Sequence, residues 1–176
     1  MATTKHTIVA LVEDKPGVLN RVSSLFRRRS FNIESITVGH SEVPHLSRMT
    51  IVVDGATTAV EQVRKQLDKL VGVVKVVDIS SESITSRELA LIKVKTCQTT
   101  RSGVIEMVDI FRAGIVDVAL DSVTIEVTGD EDKINSLIDL LSGYGIKEVA
   151  RTGRLAMTRG STSILQREEK MPKSKG

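Results

Sequence analysis

Apolar positions along this chain alternate between a strand-like and a helix-like period, and the alternation spells the same order of elements twice. Residues 6–13 (HTIVALVE) form a short apolar run rich in β-branched side chains, the pattern of a strand buried on both faces. The turn Asp14-Lys15-Pro16-Gly17 follows. Val18, Leu19, Val22, Leu25 and Phe26 then recur at helical spacing, up to Arg27-Arg28-Arg29, whose charges complement a helix C-terminus. Residues 32–38 read as a strand and 39–45 as a loop. Residues 46–54 read as a second strand, with Met49, Ile51 and Val53 on one face. Val60, Val63, Leu67 and Leu70 predict another amphipathic helix, and residues 73–79 a fourth strand. The order is β-α-β-β-α-β, the ferredoxin-like split unit.

The second half repeats it. Residues 88–95 predict a strand. Gly103 opens a helix through Val104, Ile105, Val108 and Phe111, and residues 115–119 and 122–128 pair as a hairpin. Ile134, Leu137, Ile138 and Leu141 predict the second helix, with a last strand through Val149. At one constant offset Gly17, Val18, Leu19 and Val22 fall on Gly103, Val104, Ile105 and Val108, the mark of an internal duplication. The expected organisation is α+β: two tandem ferredoxin-like domains at 5–80 and 87–156, a linker at 81–86 and a disordered tail at 157–176.

Composition narrows the function classes. The chain has 176 residues, 40% apolar and 27% charged, with one cysteine, Cys97, so no intrachain disulfide is available. It has no apolar stretch of the ~18 residues a membrane span needs, and its start lacks a signal-peptide pattern; a cytoplasmic chain is expected. The net charge of +3 lies wholly in the tail, where Arg159, Arg167, Lys170, Lys173 and Lys175 face Glu168 and Glu169. Residues 1–156 are therefore formally neutral. With three phenylalanines and one tyrosine, the chain also lacks stacking platforms for nucleic acid.

Catalytic chemistry finds little support. No histidine follows Cys97, and His40 and His45 with Glu42 make a sparse loop set, so no catalytic residue and no metal site are expected. There is no phosphate-loop or dinucleotide motif. The first strand–turn–helix remains. Amide groups of Gly17, Val18 and Leu19 at the positive end of a helix dipole would form a small anion site. Asp14 would accept from an ammonium group, and Asn32 offers donors and an acceptor. An amino acid carries both charges on one carbon, and Leu11, Val18, Leu19 and Ile33 would favour an aliphatic one. The same residues also suit an ordinary loop in which Asp14 caps the helix and Gly17 relieves strain.

The stretch EDKPGVLNRVSSLFRRRSFNIESITVG resembles the opening of an ACT domain, a small-molecule sensor module of amino-acid metabolism. LSRMTIVVDG, VEQVRKQLDKLVGVVKVVD, RELALIKV, EMVDIFRAGIVDV and EVARTGRLAMTRG are similar to the regulatory (small) subunits of acetohydroxyacid synthase, over about residues 5–160 and in order. The resemblance implies a non-catalytic chain that activates a separate catalytic subunit and confers feedback inhibition, usually by valine. That catalytic subunit carries thiamine diphosphate, Mg²⁺ and FAD. It condenses two pyruvates, or pyruvate and 2-oxobutyrate, in branched-chain amino-acid synthesis. A stand-alone ACT-domain sensor acting on another partner is the alternative. The family's effector sites lie between paired N-terminal ACT domains, and its ligand-contacting positions match Asp14, Gly17, Val18, Leu19, Asn32 and Ile33. Some members carry asparagine in place of Asp14. In the second half Thr100 falls at the offset position of Asp14, so that domain is expected to serve dimerisation or contact with the catalytic subunit instead.

Overall fold

The computed structural model describes residues 5–161 and 163–166. The first six elements are β1 (Lys5–Glu13), α1 (Val18–Arg28), β2 (Ile33–His40), β3 (Leu46–Asp54), α2 (Thr57–Leu67) and β4 (Val73–Asp78). The next six are β5 (Ile84–Lys95), α3 (Arg101–Ile110), β6 (Gly114–Val118), β7 (Ser122–Gly129), α4 (Glu131–Ser142) and β8 (Ile146–Arg151). These are the two βαββαβ units that the periodicity predicts. A short strand, β9 (Leu155–Thr158), and a 3-10 turn at Ile164–Gln166 follow. Among the described residues, one compact unit holds 5–34, 38–85 and those from 157 onward; the other holds 35–37 and 86–156.

The first sheet runs β2-β3-β1-β4, with β1 antiparallel to both β3 and β4. Pairing of Ile8 with Ile51 and of Ala10 with Met49 puts one apolar set on a single face, where it joins Val22, Leu25, Phe26, Val60, Val63 and Leu67 in the core. The alternate set on β1 (Thr7, Val9, Leu11) is buried as well, as a central strand without polar alternation requires. α1 ends where Ser30 takes a left-handed φ of 56°, after Arg27 and Arg28 in its last turn.

The second sheet runs β6-β7-β5-β8, and β9 also pairs with β5. Its core is Ala90, Ile92 and Val94 of β5 with Val104, Val108, Val123, Ile125, Val127, Ile134, Leu137 and Leu141. Asp130 caps α4 by accepting from the Lys133 amide at 2.9 Å, and Glu131 and Asp132 add negative charge to its first turn. Glu88, only 7% exposed, holds Arg151 through two contacts to one oxygen, at 2.6 and 3.2 Å from Nη2 and Nε.

Two boundaries differ from the sequence pattern. β5 begins at Ile84, so residues 84–86 of the expected linker are strand. Met157 and Thr158 of the expected tail lie in β9, and Ile164 is buried, because apolar side chains persist there among the serines and threonines. Residues 167–176 lie outside the described residues.

Candidate functional site

Two backbone bonds fix the end of β1. The Glu13 amide donates to the Gly72 carbonyl at 2.7 Å, and the Asp14 amide donates to the His45 carbonyl at 2.9 Å. The chain then turns through Lys15 and Pro16 to Gly17, which sits at φ 85°, ψ −11°. A side chain there would strain the backbone, so glycine suits the turn. Gly17 is the N-cap of α1, and its carbonyl accepts from the Arg21 amide at 3.0 Å. The Val18 amide reaches the Lys15 carbonyl only at 3.5 Å, the outer limit of a hydrogen bond. The amides of Gly17, Leu19 and Asn20 have no partner among the described residues. α1 also has no acidic residue in its first turn, so nothing within the helix offsets the positive end of its dipole.

Among the described residues no side chain caps α1, which removes the reading in which Asp14 serves as the cap. Asp14 is exposed, and its Oδ2 lies 3.4 Å from Nδ1 of His40 at the end of β2. Sequence spacing gave no signal for this pair; closure of the β2–β3 hairpin beside β1 creates it. Val18 is buried, whereas Leu19 is 49% exposed beside the free amides. Asn32 is exposed just before β2, and Ile33 is half-buried at its start. The structure therefore brings Asp14, Gly17, Val18 and Leu19 together at one end of the sheet. Asn32 and Ile33 lie beyond the far end of α1, whose 11 residues span roughly 16 Å.

The second unit differs at this junction, although α3 too has no acidic residue in its first turn and the Ser102 and Gly103 amides have no partner among the described residues. The Lys95 amide donates to the Gly145 carbonyl at 2.8 Å, and the Thr96 amide to the Asp121 carbonyl at 2.9 Å, repeating the Glu13 and Asp14 bonds. By this register Thr96, and not Thr100, stands in the place of Asp14, and it is buried. α3 starts at Arg101, ahead of Gly103, so Gly103 is an interior helical residue. A Cβ on it would lie 2.7 Å from the Tyr144 hydroxyl oxygen. Cys97 is exposed in this loop, and hydrogen bonds from the Thr100 and Thr99 hydroxyls pull its thiol down to about 6. Among the described residues no three His, Cys, Asp or Glu side chains cluster to hold a metal ion, and no helix is long and apolar enough to cross a membrane.

Residues 8–75 match the family profile described as an AHAS small subunit-like ACT domain, and residues 87–160 match that of the small subunit of acetolactate synthase. A probable acetolactate synthase small subunit of Archaeoglobus fulgidus is 59% identical over 157 residues, spanning 89% of this chain and 98% of its own. This chain belongs to the acetolactate synthase small-subunit family. The acetolactate synthase small subunit of Mycolicibacterium smegmatis is 51% identical over 162 residues, 92% of this chain and 95% of that one. The crystal structure of the acetolactate synthase small subunit from Thermotoga maritima superposes with a TM-score of 0.84 at 44% identity, covering 90% of this chain and 99% of that one. The acetolactate synthase small-subunit likeness thus runs through both units, and the Gly17 turn lies inside the ACT match.

Proposed function

We propose that this chain is the non-catalytic regulatory subunit of an acetohydroxyacid synthase in the cytoplasm. It activates a separate catalytic (large) subunit and confers feedback inhibition by a branched-chain amino acid, valine. Thiamine diphosphate, Mg²⁺ and FAD belong to the catalytic partner, and this chain holds no cofactor. The observation that carries the reading is the Gly17 turn, whose unpaired amides start a helix with no acidic first turn inside an ACT unit. The effector carboxylate sits on those amides, and Leu19 offers exposed apolar surface to the side chain. Asp14 faces the ammonium group.

The separation of Asn32 and Ile33 from Gly17 gives the site its second requirement. One chain holds these groups at opposite ends of α1, so a site using all six residues takes the turn from one protomer and Asn32 and Ile33 from its partner. The ACT units therefore pair as a homodimer, and the effector is buried where they meet. Binding there favours whichever arrangement of the pair holds the ligand better. A ~100-fold difference in affinity would correspond to about 2.7 kcal/mol. No contact with nucleic acid or membrane is part of this reading.

The test is complementation in the holoenzyme. Wild-type chain added to the catalytic subunit should raise acetolactate formation and make it valine-sensitive. Gly17→Asp should abolish that sensitivity and Asn32→Ala should weaken it, while mixed dimers of the two variants regain one intact site and part of the response. A wild-type holoenzyme indifferent to branched-chain amino acids would overturn the effector reading. Mixed dimers no more sensitive than either parent would overturn the shared site.

A further inference from the structure

The face of the first sheet turned away from α1 and α2 is not bare. Register places Val9 across from Thr50 of β3 and Val77 of β4, and Leu11 across from Arg48 and Lys75. The chain after β9 crosses this face. The Arg159 amide donates to the Ser83 carbonyl at 2.9 Å, Gly160 turns at φ 96°, and Lys75 Nζ donates to the Leu165 carbonyl at 3.4 Å. Between sheet and segment lies a cavity of about 390 Å³, within the range of small-molecule sites. Its floor is Val9, Val77 and Ile79, and Met157 and Ile164 close it from the other side.

Arg48 and Glu42 both line the cavity, and Thr158, Ser161 and Ser163 also line it. Burial lowers the Arg48 pKa, and the Glu42 carboxylate acts against that shift. A cavity with an apolar floor and a guanidinium and a carboxylate in its wall matches a small molecule with one charged end and one branched apolar end.

We propose that this cavity is a second ligand site, for a short branched aliphatic carboxylate, with Arg48 holding the carboxylate and the Val9–Ile164 slot holding the side chain. The site lies on the opposite face of the sheet from α1 and uses none of the effector-site residues named above. The carboxylate could come from a 2-amino acid or a 2-oxo acid of the same skeleton, and Glu42 separates them, since only the amino acid brings an ammonium group. A bound molecule touches the sheet together with Met157 and Ile164, so it holds residues 157–161 down over the Arg159–Gly160 bond.

The experiment uses the full chain carrying Gly17→Asp, so that binding at the Gly17 turn does not contribute. L-valine and 3-methyl-2-oxobutanoate are titrated by calorimetry, and trypsin cleavage after Arg159 is timed with and without each. The expected result is saturable binding of at least one carboxylate, weakened about tenfold or more by Arg48→Met, with cleavage slowed about tenfold at saturation. Loss of valine binding alone in Glu42→Gln assigns the amino acid; binding of 3-methyl-2-oxobutanoate and not of valine to the Gly17→Asp chain assigns the 2-oxo acid. No saturable binding of either compound to the Gly17→Asp chain overturns the site, and so does binding that Arg48→Met leaves intact. Should Arg48→Met fail to fold, cleavage of the Arg48 chain at an unchanged rate under saturating ligand overturns it alone. Failure of the Gly17 reading shows up separately, as valine inhibition that survives Gly17→Asp in the holoenzyme.

Discussion

Replacing Gly17 separates backbone strain from charge, because the two effects fall on different substitutions. A Cβ built on Gly17 meets nothing within 4 Å, so any added side chain has room, and its cost is the left-handed φ of 85° alone. For alanine that cost is about 1–2 kcal/mol. Gly17→Ala leaves the amides in place, so it should lower stability by about 1 kcal/mol and change valine affinity only a few-fold. Gly17→Asp carries a similar strain, eased because aspartate tolerates this region better. It also gains about 0.5–1 kcal/mol from a carboxylate at a helix start with no acidic first turn. Its stability should therefore lie within about 1 kcal/mol of wild type. For the ligand, the new carboxylate occupies the amides and repels the effector's own. Losing even two charge-assisted hydrogen bonds, at about 1.5–3 kcal/mol each, corresponds to a loss of more than about 100-fold. The valine concentration that half-inhibits the reconstituted holoenzyme and a urea melt on all three chains measure the two quantities. Equal loss of binding in the two variants would refute the argument, since it would make the backbone, and not the anion cradle, responsible.

Three further outcomes follow from other parts of the molecule. Gly103→Ala should leave valine binding unchanged and stability within about 1 kcal/mol, because helix propensity gained inside α3 offsets displacement of the Tyr144 hydroxyl; valine titration and urea unfolding check it. Arg151→Met leaves the Glu88 carboxylate buried without its cation and should cost about 3 kcal/mol in urea unfolding, whereas Lys65→Met, which removes an exposed partner of Glu61, should leave the urea midpoint essentially unmoved. Alkylation of Cys97 by iodoacetamide should rise through a midpoint near pH 6, because the thiolate is the nucleophile and the Thr100 and Thr99 hydroxyls hold the pKa at about 6. In Thr100→Val that midpoint should move up; an unmoved midpoint would remove the hydroxyl as the cause.

Much of the fold is legible because local periodicity and global packing agree. The unbroken apolar run at 8–12 announces a central strand, and the Val18–Phe26 and Ile134–Leu141 spacings announce helices that the structure packs against it and its counterpart β5. The run also carries a message easily passed over: with both faces of β1 apolar, something must cover the second face. The cover comes from Met157 and Ile164, in a stretch whose serines, glycine and charges outweigh its few apolar residues in any compositional reading. Gly17 is legible as a turn residue before a helix. The Asp14–His40 pair and the distance from Gly17 to Asn32 are not, since each depends on which end of the sheet a loop occupies. Matching Asp14 to Thr100 fails for a related reason. One constant offset suits the helices, but the strand-to-helix junction of the second unit is longer, and only the hydrogen bonds of Lys95 and Thr96 reveal where the extra residues sit.

That longer junction has a consequence for how such a chain tolerates insertions. Relative to α1, helix α3 begins three residues earlier while Val104 and Val108 keep the inward places of Val18 and Val22. Three residues turn a helix by about 300° and lengthen it by about 4.5 Å, so the entering chain arrives within about 60° of its former direction. One or two residues would have swung the entry by about 100° or 200°, toward the sheet or away from it. By the strand register the junction gains four residues in all, three of them as that turn and one in the loop. A duplicated unit can gain a turn and keep its core, and the same step moves the free amides to Ser102 and Gly103, which have no partner among the described residues.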